Sequence, residues 1–117
     1  PARTLKKAHA LIAHGDRCAD GVQALARQAG QRMPPREWLF WLDALGGLSA
    51  EALSFAHFPP ALLLHGRNDA VVGFGQAERF HARLPNSQLH VFEGCGHAPH
   101  WHDAGVVNAL VGAFIHV

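Results

Sequence analysis

Lysine is nearly absent from this sequence: Lys6 and Lys7 are the only two among 117 residues, and the eight arginines are scattered. With 10 Lys+Arg against 9 Asp+Glu the formal net charge is +1. A phosphate backbone would find no basic stripe to bind, so nucleic acid is excluded as a partner. Long apolar runs are missing as well. No stretch reaches the ~18 residues a membrane span needs, so no membrane partner is expected. The opening residues, Pro1 to Lys7, contain no initiator Met and no signal-peptide hydrophobic core. Cysteine is scarce: Cys18 and Cys95 lie far apart and form neither a metal-ligand pair nor a disulfide framework. A reducing compartment, and with it a cytoplasmic location, is the simpler expectation. No internal repeat or low-complexity segment occurs.

Histidine is abundant, with 10 residues, as many as Lys and Arg together. Apolar residues make up 49% and charged residues 16%, the balance of a globular chain. The texture changes half-way. Residues 1–58 read as short amphipathic helices. Leu5, Ala8, Leu11 and Ile12 fall at helical spacing before Gly15, and Asp20 is placed to cap a second helix carrying Val22, Leu25, Ala26 and Ala29 up to Gly30. Pro34-Pro35 opens a third, with Trp38, Leu39, Trp41, Leu42 and Leu45 on its face, and Ser49 is placed to cap a fourth through about Ala56. From Pro59 the pattern is strand, helix, strand, helix. Ala61 to His65 is a continuous apolar run typical of a buried parallel strand, and a helix is predicted over 74–84. Gln88 to Phe92 is the second strand, residues 93–100 read as a Gly- and Pro-rich loop, and a last helix runs over 103–116. The fold class is therefore α/β, built on right-handed parallel crossovers. Two parallel strands do not make a stable sheet by themselves, so further strands are expected outside this chain.

Parallel strands joined by a crossover end on the same edge of the sheet, where open α/β sheets place their ligands. Asp69 lies four residues after the first strand and His97 five after the second. The topology thus brings a carboxylate and an imidazole towards one crevice. A buried Asp that accepts the Nδ1–H of a His fixes its tautomer and leaves Nε2 free to act as a general base on a hydroxyl nucleophile.

These residues resemble a family. Pro60-Ala61-Leu62-Leu63-Leu64-His65-Gly66-Arg67-Asn68-Asp69-Ala70-Val71-Val72 is similar to the acid-bearing strand and loop of α/β-hydrolases. Leu89-His90-Val91-Phe92-Glu93-Gly94-Cys95-Gly96-His97-Ala98-Pro99 is similar to their histidine loop. The order Ser, Asp or Glu, His in that family leaves Asp69 and His97 as the last two members of a triad. The resemblance covers residues 59–117 by motif and implies that 1–58 form a helical cap (lid) inserted before the acid strand. Gly96-His97-Ala98-Pro99 and the helical cap look most like the carboxylesterases of biotin synthesis, which hydrolyse pimeloyl-acyl-carrier-protein methyl ester. The implied substrate is thus a small-molecule or acyl-carrier-bound ester, hydrolysed without metal or organic cofactor.

The departure from the pattern is large. The serines are Ser49, Ser54 and Ser87, and none sits in Gly-x-Ser-x-Gly. The chain is therefore expected to be the C-terminal part of a hydrolase whose nucleophile and oxyanion hole precede Pro1, inactive alone and prone to dimerise or swap through its incomplete sheet. Thioesterase, epoxide, haloalkane or carbon–carbon hydrolase chemistry, or a non-catalytic interaction module, are the alternatives. Other signals are weaker. His97, His100, His102 and Asp103 cluster, but a His-x-His-x-Asp-His metal motif would need Asp and His where Ala104 and Gly105 stand. Gly73-Phe74-Gly75 imitates a dinucleotide fingerprint with Glu93 as a ribose ligand, yet Glu78 replaces the third glycine. Cys95 invites a Cys–His nucleophile, although a small residue there serves loop geometry equally well. His100 and His102 read as surface or cleft-rim residues, and Arg27, Arg32 and Arg36 as solvated helix faces rather than a site for an acidic carrier.

Overall fold

The computed structural model describes residues 2–32, 34–47, 49 and 53–116. The side chains at 2, 5, 35, 38, 39, 41, 42 and 46 lie outside this description. Three helices open the chain: α1 (Ala2–Ala13), α2 (Ala19–Gly30) and α3 (Pro35–Gly46). Then follow β1 (Ala61–Gly66), α4 (Phe74–Arg83), β2 (Ser87–Phe92), a short α5 (Pro99–His102) and α6 (Ala104–Ile115). The helix breaks fall where backbone chemistry dictates. Gly15 takes φ +76° to end α1, a conformation only glycine adopts without strain. Pro34 and Pro35 open α3, since the first turn has no use for their missing N–H.

Several details differ from the sequence-based expectation. Asp20 sits inside the first turn of α2, where it faces the positive end of the helix dipole, and Cys18 occupies the cap position. Residues 99–102, of which 99 and 100 were expected as loop, form α5 because Pro99 sits at its first position and Asp103 N–H closes the turn on the Pro99 carbonyl at 2.9 Å. The apolar face assigned to Trp38 and Trp41 falls on side chains outside the described set. Part of the helix expected over 49–56 also lies outside it, and residues 53–58 run as bends and turns. Phe55 anchors that segment to α4, edge-on to Phe80 at 5.2 Å.

β1 and β2 pair in parallel, from Ala61 opposite Ser87 to Gly66 opposite Phe92. Equal strand lengths and this register bring both carboxyl ends out side by side. Among the described residues the sheet has two strands. That explains why β1 is half-buried along Ala61 to His65 rather than fully buried as its apolar run predicts. β1 keeps one unpaired edge, and beside it lies an apolar groove of about 410 Å³ between the strand and α4, lined by Leu62, Leu63, Leu64, Ala77 and Phe80 among others.

A second packing centre joins the N-terminal helices to the loop after β2. Ala13, Val22 and Ala98 are buried together, with Ile12, Ala19 and Trp101 packed against them. Ala98 follows His97 directly, so this small core fixes where the histidine loop runs. In contrast α6 has no fully buried residue, and Val106, Val111 and Ile115 are exposed. Its sequence is apolar on all sides, which suits a helix covered on more than one face.

Candidate active site

Asp69 is held by its own loop. Its Oδ1 accepts the backbone N–H groups of Val71 and Val72, both at 2.8 Å, an Asx-type turn that aims the other oxygen inward. The carboxylate is nearly sealed, with 3% of the side chain exposed. His97 reaches it from the loop after β2: Nδ1–H donates to Oδ2 at 2.9 Å and lies 3.1 Å from Oδ1. A carboxylate oxygen only accepts, so Nδ1 carries the proton of this bond and Nε2 is the ring nitrogen not committed to Asp69. The His97 side chain is 36% exposed, so its free edge is accessible. The sequence-predicted pair is thus brought together, with His97 Nδ1 turned towards the Asp69 carboxylate.

A cavity of about 260 Å³ opens between the two loops, lined by Leu64, His65, Gly66, Asp69, Val72, His97 and Pro99. It shares Leu64, His65 and Val72 with the apolar groove along β1. His65 is a neighbour that sequence reading did not single out. Its Nε2–H donates to the Val72 carbonyl at 2.8 Å and lies 3.4 Å from Asp69 Oδ2. The signal was present in the sequence, since His65 and Asp69 are four residues apart on the acid strand and loop.

The loops lie this close because two glycines permit it. A Cβ on Gly66 would stand 1.9 Å from the Gly96 carbonyl oxygen, and one on Gly96 would meet the Ile12 and His14 carbonyls at 2.9 and 3.0 Å. The α1–α2 turn in fact braces both loops. The Ile12 carbonyl accepts His97 N–H at 3.1 Å, Arg17 N–H donates to the Gly94 carbonyl at 2.8 Å, and Asn68 Nδ2 donates to the Gly15 carbonyl at 2.9 Å. Outside, Arg67 and Glu93 form a two-pronged pair, Nη2 to Oε1 at 2.7 Å and Nε to Oε2 at 3.2 Å. Glu93 is therefore engaged across the loops rather than placed for a ribose. A Cβ on Gly73 or Gly75 would meet nothing within 4 Å, so neither glycine is there for a close backbone approach.

The remaining histidines and cysteines sort themselves. Asp103 Oδ1 accepts Val106 N–H at 3.0 Å as the cap of α6, and His97 is committed to Asp69, so the His97–Asp103 cluster does not converge on one point. His102, expected on the surface or cleft rim, is half-buried as a residue, with 8% of its side chain exposed, and its Nδ1–H donates to Asp16 at 2.8 Å. Asp16, His102 and Cys18 bring a carboxylate, an imidazole and a thiol within 4.8 Å of one another, a group the sequence reading did not assemble. Both Asp16 oxygens already accept hydrogen bonds there, from Cys18 N–H at 2.7 Å, from His102 and from Gly96 N–H at 2.9 Å. Burial favours the protonated acid, but the bonds from Gly96, His102 and Cys18 outweigh it and hold Asp16 below its ordinary carboxylate range. Burial, and next to it the Asp16 charge, pushes the Cys95 thiol up to about 12, so it is no nucleophile at neutral pH. Lost solvation and the adjacent His97 lower His100.

The model of the alpha/beta hydrolase family matches residues 3–110. The chain belongs to the α/β-hydrolase family. Its fold is the α/β-hydrolase fold, here a helical chain with a small parallel two-stranded sheet. Among relatives, the chain is 45% identical over 56 residues to 2-hydroxy-6-oxononadienedioate/2-hydroxy-6-oxononatrienedioate hydrolase 2 of Pseudomonas putida, covering 48% of this chain and 20% of that one. It is 29% identical over 105 residues to the corresponding hydrolase of Cupriavidus pinatubonensis, covering 90% of this chain and 31% of that one. It is 48% identical over 40 residues to the pimeloyl-[acyl-carrier protein] methyl ester esterase of Nitrosomonas europaea, covering 34% of this chain and 16% of that one. The chain thus spans about a third or less of the curated relatives it matches. No solved structure matches. Among the described residues no helix is long and apolar enough to cross a membrane.

Proposed function

We propose that this chain supplies the acid–base pair of a serine-type carboxylic-ester hydrolase, with His97 as general base and Asp69 as its orienting carboxylate. The observation that carries the reading is the 2.9 Å bond from His97 Nδ1–H to a sealed Asp69, with the Nε2 edge accessible at the mouth of a cavity. In this reading a Ser preceding Pro1 attacks the ester carbonyl carbon as His97 Nε2 takes its hydroxyl proton. Collapse of the tetrahedral intermediate breaks the carbon–oxygen bond to the alcohol, and His97 returns the proton to the leaving oxygen. Water repeats the sequence on the acyl-enzyme, and Asp69 stabilises the imidazolium throughout. Residues 1–58 act as the cap, and 59–117 as the C-terminal part of the core. A pimeloyl-acyl-carrier methyl ester is one substrate of this class, supported by the esterase relative.

A second reading is hydrolysis of a carbon–carbon bond in a 2-hydroxy-6-oxo dienoate, supported by the relatives that act on such compounds. The same Asp–His pair serves either reaction. The test is turnover by the protein extended upstream of Pro1, given short-chain p-nitrophenyl esters in parallel with a 2-hydroxy-6-oxo dienedioate. Ester turnover that disappears in His97→Ala supports the first reading; turnover of the dienedioate alone supports the second. Turnover of either that survives His97→Ala removes His97 from both.

A further inference from the structure

We propose that Asp16 is a positioning residue for His97, clamping the histidine loop from behind with His102 as its fixed partner. The proposal rests on the reading of Asp69 and His97 as the acid–base pair. The residue just before each member of that pair is tied to one of two adjacent residues of the α1–α2 turn. Asn68 Nδ2 donates to the Gly15 carbonyl at 2.9 Å, and Gly96 N–H donates to Asp16 Oδ2 at 2.9 Å. The next peptide is held too, by His97 N–H on the Ile12 carbonyl at 3.1 Å. The backbone from which the His97 ring projects is therefore fixed at two successive N–H groups. A ring whose Nδ1 must stay near 2.9 Å from Asp69 needs a fixed backbone at its root.

Asp16 is built for this task more than for closing its own turn. Its side chain is fully buried, with 0% exposed. An Asx turn that opens α2 would use only the bond from Cys18 N–H to Oδ1 at 2.7 Å. The second oxygen instead reaches 80 residues along the chain to Gly96, and His102, which follows α5's Pro99, reaches back to the first oxygen at 2.8 Å. A charged acceptor forms stronger hydrogen bonds than a neutral one, and the low-lying Asp16 carboxylate is charged at neutral pH. The arrangement is a second Asp–His pair, joined to the first through the Gly96–His97 backbone. Sequence spacing hides it, since Asp16 and His102 sit at opposite ends of the chain.

The test is NMR of the chain with 15N-labelled histidine, reading the His97 tautomer and the solvent exchange of its Nδ1–H. Asp16→Asn is expected to leave the helix content unchanged and to speed exchange of that proton roughly tenfold, the scale of losing one hydrogen bond. His102→Ala is expected to act in the same direction. His102→Asn, whose Nδ2–H takes the place of the imidazole Nδ1–H, is expected to restore the wild-type rate. An unchanged His97 signal in Asp16→Asn overturns the proposal, and if that variant does not fold, an unchanged signal in His102→Ala overturns it instead. Asp69→Asn tests the underlying reading separately: a His97 proton indifferent to that change means the first pair does not exist, whatever Asp16 does.

Discussion

Replacing Gly66 by alanine adds one methyl group at the point where β1 ends and the histidine loop crosses it. That Cβ would stand 1.9 Å from the Gly96 carbonyl oxygen and 2.6 Å from that of Cys95. Ordinary contact begins near 3.4 Å, so the loop must retreat by about 1.5 Å, and both obstacles are backbone that cannot rotate away. Gly96 immediately precedes His97, so the same displacement carries the imidazole from its 2.9 Å bond with Asp69 to beyond hydrogen-bonding range. Overpacking of this kind costs roughly 1–3 kcal/mol. For a domain of this size each kcal/mol lowers the melting temperature by about 4–8 °C. Gly75→Ala is the control, because its Cβ meets nothing within 4 Å and it lies in the first turn of α4. The assay combines thermal unfolding with the His97 Nδ1–H signal. Gly66→Ala is expected to lose both stability and that proton, and Gly75→Ala neither. A Gly66→Ala protein with wild-type melting and an intact His97 signal would falsify the claim that the absence of a side chain there lets the two loops meet.

Three further expectations follow from the geometry. Buried Cys95, pushed up to about 12, should resist a thiol reagent at pH 8 in the native state, while exposed Cys18 reacts; two equally fast thiols would contradict the burial. Asp16 has a folded value below its ordinary 3.8, so the stability it contributes is present above that pH and drains away as pH falls below it. Asp16→Asn, which strands buried donors, should cost roughly 1–3 kcal/mol at pH 7 by denaturant unfolding, and the gap to wild type should close in strong acid; a gap constant from pH 7 to pH 2 would refute the linkage. With one β1 edge unpaired among the described residues and Val71, Val72, Val106 and Ile115 exposed, the isolated chain should pair with a second copy at high concentration. Sedimentation equilibrium reads this directly, and a strict monomer at millimolar concentration contradicts it.

The parts of this fold that could be read from the sequence are those set by short-range chemistry. Leu62-Leu63-Leu64 announces β1, Gly15 ends α1, and Pro34-Pro35 starts α3, each within a residue or so of where the backbone places them. Asp69 and His97 were legible because parallel topology sends two strand ends to one edge, whatever the distance in sequence. What could not be read depends on tertiary contact. Asp16 and His102 are 86 residues apart, and no periodicity links an α1–α2 turn to the helix after the histidine loop. α5 was hidden because a Gly- and Pro-rich stretch reads as loop, although Pro99 at a first helical position also starts a turn. The half-burial of β1 depends on which strands flank it, and Leu62-Leu63-Leu64 does not disclose that.

The central claim is that His97, oriented by Asp69, activates a serine nucleophile. The most direct measurement is labelling by a serine-directed fluorophosphonate of the protein extended upstream of Pro1, with the modified residue located by mass spectrometry. The expected result is a single labelled Ser preceding Pro1, with labelling lost in His97→Ala and strongly slowed in Asp69→Asn. Labelling that is absent from the extended protein, or that proceeds at the wild-type rate without His97, would contradict it.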